Sequence, residues 1–282
     1  MAPMDQLVVT LDCPDRPGIV HAITGAIVAV GGNITELQQF SSPDTGHFFT
    51  RVAVDAQDRV ALERAVVDAT AGFDAHLRVD DANRPVRTLL LASKAGHAMN
   101  DLLFRRQGGE LPIDVVRIMA NHEVLSPMAA FYGVDFESHA VTPETKPDFE
   151  ARVRQVVEDE GIELVVLARY MQILSPELCD FLAWRAINIH HSFLPGFKGA
   201  NPYRQAHTRG VKLIGATAHF VTSDLDEGPI IEQNVVRVDH TMNVAKLMRK
   251  GQAQESQTLA EAVRLFAEHR VLADGDRTVI FR

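Results

Sequence analysis

The sequence predicts an α/β protein of two domains, in which a small antiparallel sheet with two helices precedes a larger, mostly parallel sheet. Three observations favour this fold class. Residues 5–82 follow a β-α-β-β-α-β order of apolar patterns, and single apolar strands alternate with helical patterns from there on. The stretch 80–85 between them is polar, contains a proline and lacks periodicity. We therefore predict a first domain at residues 1–82, a linker at 83–86 and a second domain at 87–282.

The composition excludes several classes of protein. The chain has 282 residues, is 46% apolar and carries a net charge of −9 without any run of Lys or Arg, so no nucleic-acid partner is expected. No apolar run approaches the roughly 20 residues that cross a bilayer, and residues 1–5 lack the basic region and apolar core of a signal peptide. Cys13 and Cys179 are the only cysteines. Two distant thiols indicate neither a disulfide framework nor a sulfur-rich metal site, and they suit a reducing cytoplasm.

The first domain is predicted from its periodicity. Ile19, Ile23 and Ile27 recur at helical spacing, and a Gly-Gly pair follows that helix. Residues 41–46 are rich in turn formers between two alternating strands. The predicted order is strand 7–11, helix 19–30, strand 33–40, strand 48–54, helix 58–71 and strand 75–79. This order is typical of a ferredoxin-like unit.

Two short segments of this unit carry a family resemblance. Asp-Cys-Pro-Asp-Arg-Pro-Gly-Ile-Val occupies 12–20, and Gly-Asn-Ile follows the first helix at 32–34. Together they resemble the ACT domain family over residues 5–82. The resemblance implies an amino-acid effector bound near the start of the first helix, usually across a dimer of such domains. We therefore predict an effector site at Asp15, Gly18 and Asn33, and a homo-oligomer. A simpler interpretation is that these residues only start a helix and form a turn.

The second domain is predicted to contain a sheet that is covered on both faces. The predicted order is strand 87–93, helix 98–107, strand 113–120, a short helix from 126, strand 136–141, helix 146–160, strand 164–168, helix 176–184, strand 186–190, strand 230–238 and a mainly helical segment 241–272. Strands that alternate with helices form right-handed βαβ units, so a Rossmann-like, mostly parallel sheet is expected. Ligands of such sheets bind beyond the carboxyl ends of the strands.

One of these strand ends carries groups suited to acyl chemistry. Asn188 and His190 are two residues apart, so on a strand they project from the same face. A carboxamide N–H can stabilise an oxyanion, and an imidazole can move a proton near neutral pH. Asp226 lies in a later loop just before Gly228, and a carboxylate brought near His190 would favour its protonated form and could orient a water. No Ser or Cys lies in a nucleophile elbow, so water or an external amine must attack.

Two other interpretations of this region remain open. Taken one by one, a strand-end Asn, a His among apolar residues and an Asp before Glu-Gly are most often structural. His190, His191, His219 and Asp226 also form a nitrogen and oxygen set of the kind that binds metal. Adjacent residues on a strand point to opposite faces, so His190 and His191 are not expected to share one ion, and we predict no metal site.

The combination of motifs is more specific than its parts. Asn-Ile-His at 188–190, Ser-Phe-Leu-Pro at 192–195, Gly-Ala-Thr-Ala-His-Phe-Val at 215–221 and Asp-Glu-Gly-Pro-Ile-Ile at 226–231 resemble the folate-dependent formyltransferase family. The resemblance implies catalytic roles for Asn188, His190 and Asp226, and a pterin pocket between the backbones of 169–174 and 221–226. The substrate-binding residues it implies are Arg169, Tyr170, Met171, Ile173, Leu174, His191, Ser192, Gly199, Val221 and Asp224. Folate is then the substrate, and no cofactor is expected.

Further features resemble the hydrolytic branch of that family, which releases formate and tetrahydrofolate from 10-formyltetrahydrofolate. An ACT-like domain precedes the catalytic domain, and His191 stands where the transferases tend to carry Pro or a small residue. Ser-Lys-Ala-Gly-His at 93–97 replaces the Gly-Ser-Asn phosphate loop of the ribonucleotide transferase. This resemblance implies that formate is supplied for purine synthesis. The alternatives are a formyltransferase with an amine acceptor and, less favoured, a regulatory protein that only binds folate.

Overall fold

The computed structural model describes residues 4–194 and 202–282, and the predicted substrate residue Gly199 lies outside them. The chain divides into two compact units, one formed by Met1–Arg84 with Glu268–Arg282 and the other by Pro85–Ala267. The predicted second domain includes the last fifteen residues, whereas the structure groups 268–282 with the first unit. In the described part of the chain we find no helix that combines the length and the apolar character of a bilayer span.

The first unit has the predicted ferredoxin-like order. Its elements are β1 (Asp5–Pro14), α1 (Ile19–Ala29), β2 (Asn33–Ser41), β3 (His47–Ala56), α2 (Arg59–Thr70) and β4 (His76–Asp81). The strands form one sheet in the order β2-β3-β1-β4, with antiparallel pairing throughout. The isoleucines of α1 at positions 19, 23 and 27 are buried against the apolar face of this sheet. Helical spacing of apolar residues therefore predicted the packing face correctly.

The C-terminal residues form a hairpin that belongs to this first unit. Its strands are β12 (Val271–Asp274) and β13 (Arg277–Ile280). Phe281 and Val279 are buried with Phe49 of β3, and Leu272 packs against them. The prediction of a mainly helical segment up to residue 272 was wrong at its end. Leu272 fits the apolar periodicity of a helix equally well, but it contributes to this separate apolar cluster instead.

The second unit contains a seven-stranded sheet. Its elements are β5 (Val86–Ala92), α3 (His97–Gln107), β6 (Ile113–Ala120), α4 (Ser126–Phe131), β7 (Asp135–Ser138), α5 (Lys146–Asp159), β8 (Leu164–Ala168), α6 (Pro176–Phe181), β9 (Ala186–His190), α7 (Pro202–Arg209), β10 (Leu213–Phe220), β11 (Ile230–Arg237) and α8 (Val244–Ala267). The strand order is β11-β10-β9-β8-β5-β6-β7. The pairs from β9 to β7 are parallel, and β10 and β11 are antiparallel. The predicted fold class, an ACT-like unit followed by a mostly parallel sheet, is confirmed.

The centre of this sheet places the polar strand ends side by side. All five residues of β8 are buried, as a strand covered on both faces requires. Its neighbour β9 is parallel to it and ends at His190. On the other side of β9, the antiparallel strand β10 pairs His219 directly with Asn188. The candidate site therefore forms where a buried parallel strand, its parallel neighbour and an antiparallel strand meet.

Candidate active site

The side chains of strand β9 alternate between the two faces of the sheet, and this places Asn188 and His190 on the same face. Ile187 and Ile189 are fully buried in the sheet, while Asn188 is half-buried and lines a cavity together with His190. Residues two apart on a strand share a face, so the carboxamide and the imidazole open onto the same space. The prediction that Asn188 and His190 project from one face of the strand is confirmed.

His190 is held by hydrogen-bond partners at both ring nitrogens. Its Nδ1 lies 3.1 Å from Oδ2 of Asp226, and its Nε2 lies 2.8 Å from Oγ of Ser192. An ionised carboxylate only accepts hydrogen bonds, so Nδ1 carries a proton that it donates to Asp226. In the neutral ring, Nε2 then accepts from the Ser192 hydroxyl. Nε2 is therefore the atom through which His190 can exchange a proton with a bound molecule.

The backbone around Ser192 is fixed by one buried threonine. Thr217 on β10 is fully buried, and its hydroxyl donates to the Ser192 carbonyl at 3.0 Å. The same oxygen accepts from the Leu194 N–H at 3.1 Å. A buried hydroxyl that both donates and accepts holds the chain just beyond β9 in one conformation. This arrangement keeps Ser192 within reach of His190.

Asp226 reaches the site from a loop of unusual backbone geometry. Its φ is 58°, a left-handed conformation that few residues other than glycine adopt. Two residues later, a Cβ at Gly228 would overlap the carbonyl oxygen of Phe220, so only glycine lets the loop approach the strand this closely. The hydrogen bond from His190 holds the pKa of the Asp226 carboxyl well below its usual range. Asp226 is therefore ionised when it faces His190.

His219 orients the carboxamide of Asn188. Its Nδ1 lies 2.8 Å from the Phe220 carbonyl, which can only accept, so Nδ1 carries the proton and Nε2 of the neutral ring is an acceptor. Nε2 lies 3.2 Å from Nδ2 of Asn188, which donates to it. The distance of 3.7 Å from Nε2 to Asp226 is beyond hydrogen-bond range. The amide nitrogen of Asn188 keeps its second N–H for a ligand.

From the sequence, His219 was considered only as a metal ligand, and this role was not predicted. A signal was present, because Thr217 and His219 are polar residues at alternate positions of an otherwise apolar strand, and both are buried. Polar side chains on a buried strand face need partners. That pattern alone indicates a polar contact with the neighbouring strand, although it does not identify Asn188 as the partner.

A cavity of about 250 Å³ brings most of the predicted residues together. It is lined by the three predicted catalytic residues and by the predicted substrate residues Arg169, Tyr170, Met171, Ile173, Leu174, His191, Val221 and Asp224. Its further walls include Gln172, Thr222, Ser223 and Leu225. Ser192 does not line the cavity and instead contacts His190. One wall is anchored where the Met171 N–H donates to the Ser93 hydroxyl at 2.9 Å.

His190 and His191 do not point to opposite faces, and that expectation was wrong. The two rings stack with centroids 4.8 Å apart and an interplanar angle of 23°. Strand β9 ends at His190, so the alternation of side chains along the strand does not extend to His191. Nδ1 of His191 lies 2.8 Å from Nη1 of Arg169, whose φ is 65°. Within residues 4–194 and 202–282, no group of His, Cys, Asp and Glu is arranged to hold a metal ion.

The three predicted effector residues lie in the first unit. Gly18 precedes α1 with a φ of 101°, a left-handed conformation that suits glycine. Asp15 and Asn33 are exposed, and the Asp15 N–H donates to the carbonyl of Gly46 at 2.8 Å. These features are compatible with both interpretations of the segment. The effector site therefore stays a prediction.

Comparisons with known proteins decide the family. A formyl transferase model matches residues 86–263, and an ACT domain model matches residues 7–69. A formyltetrahydrofolate deformylase of Corynebacterium sp. (strain P-1) is 45% identical over 281 residues, which is 98% of this chain and 98% of the relative. This chain belongs to the formyltetrahydrofolate deformylase family.

Solved structures separate this deformylase family from other formyl transferase proteins. A formyltetrahydrofolate deformylase from Burkholderia mallei is 48% identical, has a TM-score of 0.95 and covers 99% of this chain and 100% of its own. Glycinamide ribonucleotide transformylase 1 from Symbiobacterium toebii is 34% identical, has a TM-score of 0.65 and covers 70% of this chain and 95% of its own. The likeness to the deformylase thus spans both units, as membership of the deformylase family requires.

Proposed function

We propose that this chain is a hydrolase that converts 10-formyltetrahydrofolate and water into formate and tetrahydrofolate. The observation that carries the proposal is the convergence of three groups on one cavity. The Asp226–His190 pair offers a proton-transfer atom at Nε2, and the Asn188 carboxamide offers a spare N–H beside it. These are the groups that hydrolysis of an N-formyl bond requires. Relatives that share both units carry the same activity in their names.

The substrate is seated so that its formyl group meets these groups. The pterin ring lies against the backbones of residues 169–174 and 221–226, which line the cavity. The formyl carbon then lies between Asn188 and His190. No cofactor or metal takes part, because water supplies the nucleophile and the side chains supply the charge stabilisation. Mainly apolar walls with a few placed polar groups are the usual setting for such a ligand.

The reaction proceeds by addition of water and loss of N10. His190, oriented by Asp226, accepts a proton at Nε2 as water attacks the formyl carbon. The N–H of Asn188 donates to the oxygen that becomes negatively charged. The tetrahedral intermediate collapses, the carbon–nitrogen bond breaks, and N10 leaves with the proton from His190. The balance is one formamide and one water consumed, and one secondary amine, one formate and one proton released.

The substitution Asn188→Ala tests this assignment. Loss of one oxyanion donor lowers kcat by about 10²–10³-fold, whereas KM changes little because the walls of the cavity remain. Formate release from 10-formyltetrahydrofolate measures both constants. Asn234→Ala is the matched control, because that carboxamide binds Thr258 in the same unit and does not line the cavity. An Asn188→Ala protein that keeps most of its activity would show the assignment to be wrong.

The biological setting follows from the reaction. Releasing formate while regenerating tetrahydrofolate balances the one-carbon folate pools and supplies formate for purine synthesis. The protein acts in the cytoplasm, and its two buried free thiols, Cys13 and Cys179, suit that reducing compartment. Deleting the gene from cells that depend on formate for purine synthesis, and testing growth with and without a purine, checks the proposed supply route.

The first unit regulates the enzyme and joins its subunits. An amino acid binds at Asp15, Gly18 and Asn33, where the backbone N–H groups at the start of α1 meet its carboxylate. The edge strand β2 carries the exposed apolar residues Leu37 and Phe40, which suit self-association into a homo-oligomer. Calorimetric titration with each amino acid and light scattering at several protein concentrations test these two statements. No heat with any amino acid, or a monomeric mass throughout, would contradict them.

A further inference from the structure

A buried carboxylate on α8 lies at the centre of a polar cluster next to the cavity. Glu255 is 1% exposed, although an isolated charge is costly to bury. Its Oε2 lies 2.7 Å from Nε2 of His97 and 3.3 Å from Nε of Arg169, and the Tyr203 hydroxyl donates to its Oε1 at 2.5 Å. Burial raises the pKa of Glu255, but the bond to His97 and the charge of Arg169 outweigh it and bring the pKa to about 2. Glu255 is therefore ionised.

The close packing around Glu255 is built into the sequence of α8. Gly251 lies one turn before Glu255, and a Cβ there would overlap the hydroxyl of Tyr203. Residues four apart face the same side of a helix, so glycine makes room for the ring that reaches the carboxylate. The partners come from the start of α3, from α7 and from the residue after β8. One carboxylate thus joins four parts of the second unit.

Arg169 connects this carboxylate to the stacked histidine. Its Nε lies 3.3 Å from Oε2 of Glu255 in an ion pair that lacks hydrogen-bond geometry, while its Nη1 lies 2.8 Å from Nδ1 of His191. A guanidinium group only donates, so Nδ1 of His191 must accept, and the proton of the neutral ring is on Nε2. Burial, followed by the charges of Arg169 and His190, lowers the pKa of His191 to about 4, against the raising effect of Glu255 and Asp226. His191 is therefore a neutral ring in a defined tautomer at neutral pH.

The neutral ring of His191 packs directly on the ring of His190. The centroids lie 4.8 Å apart, while His190 keeps its own bonds to Asp226 and Ser192. A neutral neighbour lets His190 accept a proton without facing a second cation, and the stacked ring limits its rotation. Contacts therefore run without a break from Glu255 through Arg169 and His191 to His190.

We propose that Glu255 is a positioning residue for the hydrolysis proposed above. Through Arg169 it holds His191 as a neutral, Nε2-protonated ring stacked on His190, and it does so without touching the substrate. Arg169 is paired with the Glu255 carboxylate by charge and meets the imidazole through Nη1, so the position of its guanidinium depends on a charged partner. This contact sets the tautomer of His191, and no other contact among the described residues determines that tautomer.

The test uses Glu255→Gln in the full-length protein. A glutamine of the same size offers one accepting oxygen in place of two charged ones, so Arg169 loses its anchor and His191 samples both tautomers. Long-range ¹H–¹⁵N spectra of histidine-labelled protein report the tautomer directly, and the signal of His191 is assigned by its loss in His191→Gln. We expect kcat to fall between about tenfold and about 10²-fold, with KM for 10-formyltetrahydrofolate nearly unchanged.

Two further variants keep the proposal falsifiable. Arg169→Lys retains a cation for Glu255 but has a single nitrogen, so it should release His191 even if Glu255→Gln fails to fold. Glu150→Gln is the matched control, because it removes another buried carboxylate of the same unit, one that binds the Ser175 N–H, and it should leave the tautomer of His191 unchanged. Unchanged His191 spectra and unchanged kcat in Arg169→Lys and in folded Glu255→Gln would overturn the proposal. A rise in KM alone would overturn it as well.

The failure of this proposal can be told from failure of the proposed function. If the wild-type protein releases no formate from 10-formyltetrahydrofolate, the reaction is wrong. The spectra still report whether Glu255 sets the tautomer of His191, because they need no turnover. If formate is released and Glu255→Gln changes neither the spectra nor kcat, the reaction stands and only the positioning role is lost.

Discussion

The carboxylate of Asp226 lies 3.1 Å from Nδ1 of His190, and this contact should make stability depend on pH. In the unfolded chain an aspartate has a pKa of about 3.9, whereas the hydrogen bond from His190 lowers the pKa of Asp226 in the folded protein. The unfolded state therefore binds more protons between the two values. The stability that Asp226 confers is complete above the unfolded pKa and is lost as the pH falls toward the folded one.

We predict that Asp226→Asn flattens the acid limb of the stability profile and lowers formate release. Urea unfolding followed by the fluorescence of Trp184, the only tryptophan, measures stability between neutral pH and the acid limb. Asp180→Asn removes an exposed carboxylate on α6 and serves as the control. The prediction would be contradicted if the stability of wild type and of Asp226→Asn fell in parallel as the pH is lowered.

Single residues also show how far the sequence can predict a site. Asn188 and His190 were predictable because a two-residue spacing defines a strand face by itself. The contact of Asp226 with His190 crosses a loop, so chemistry offered it only as a condition, and the family resemblance assigned the catalytic role. Glu255 was missed because its partner His97 is 158 residues away, and no local pattern records such a contact. Long-range side-chain contacts follow from the strand order, which the sequence specifies only indirectly.

At the scale of elements, α8 shows that a glycine inside a helix can be required. Alanine normally stabilises a helix relative to glycine, and Gly25 of α1 has open space around it. We predict that Gly25→Ala is neutral or stabilises its unit by about 0.4–1 kcal/mol. Gly251→Ala should instead destabilise the second unit by about 1–3 kcal/mol, because the methyl group overlaps Tyr203. Hydrogen exchange by mass spectrometry reports each unit separately, and equal effects of the two substitutions would contradict the prediction.

Helices and strands were predicted well where the apolar pattern was compatible with only one packing arrangement. The isoleucines of α1 and the apolar run of β8 both matched the observed structure, because helical spacing and a short buried run each specify the face that packs. The end of α8 was not predictable in the same way. Leu272 continues the helical spacing, yet it packs with Phe281 in the first unit. The apolar character of a residue predicts that it is buried, but it does not predict which element it packs against.

At the scale of the whole molecule, the C-terminal hairpin should stabilise the unit formed by the N-terminal residues. Arg270 lies 3.1 Å from Glu36, and the Ser42 hydroxyl donates to Asp274 at 2.9 Å. Phe281 is 6% exposed in a cluster with Phe49. We predict that Phe281→Ala destabilises the first unit by about 3–5 kcal/mol, with faster hydrogen exchange in β1 and β3.

The hydrogen-exchange measurement on Phe281→Ala has a control in the same hairpin. Asp276→Ala changes an exposed residue of the turn between β12 and β13 and should leave exchange unaltered. Exchange in residues 85–267 should also stay at its wild-type rate. If Phe281→Ala accelerated exchange only in residues 85–267, the grouping of the hairpin with the first unit would be contradicted.

The central claim is that water attacks the formyl carbon in the cavity formed by Asn188, His190 and Asp226. Turnover of 10-formyltetrahydrofolate in H₂¹⁸O without any amine tests it most directly. Hydrolysis places one oxygen from water in each formate, so mass spectrometry should find singly labelled formate in equal amount to tetrahydrofolate. Formate that carries no label, or no turnover until an amine is added and a formylated amine appears, would contradict the claim.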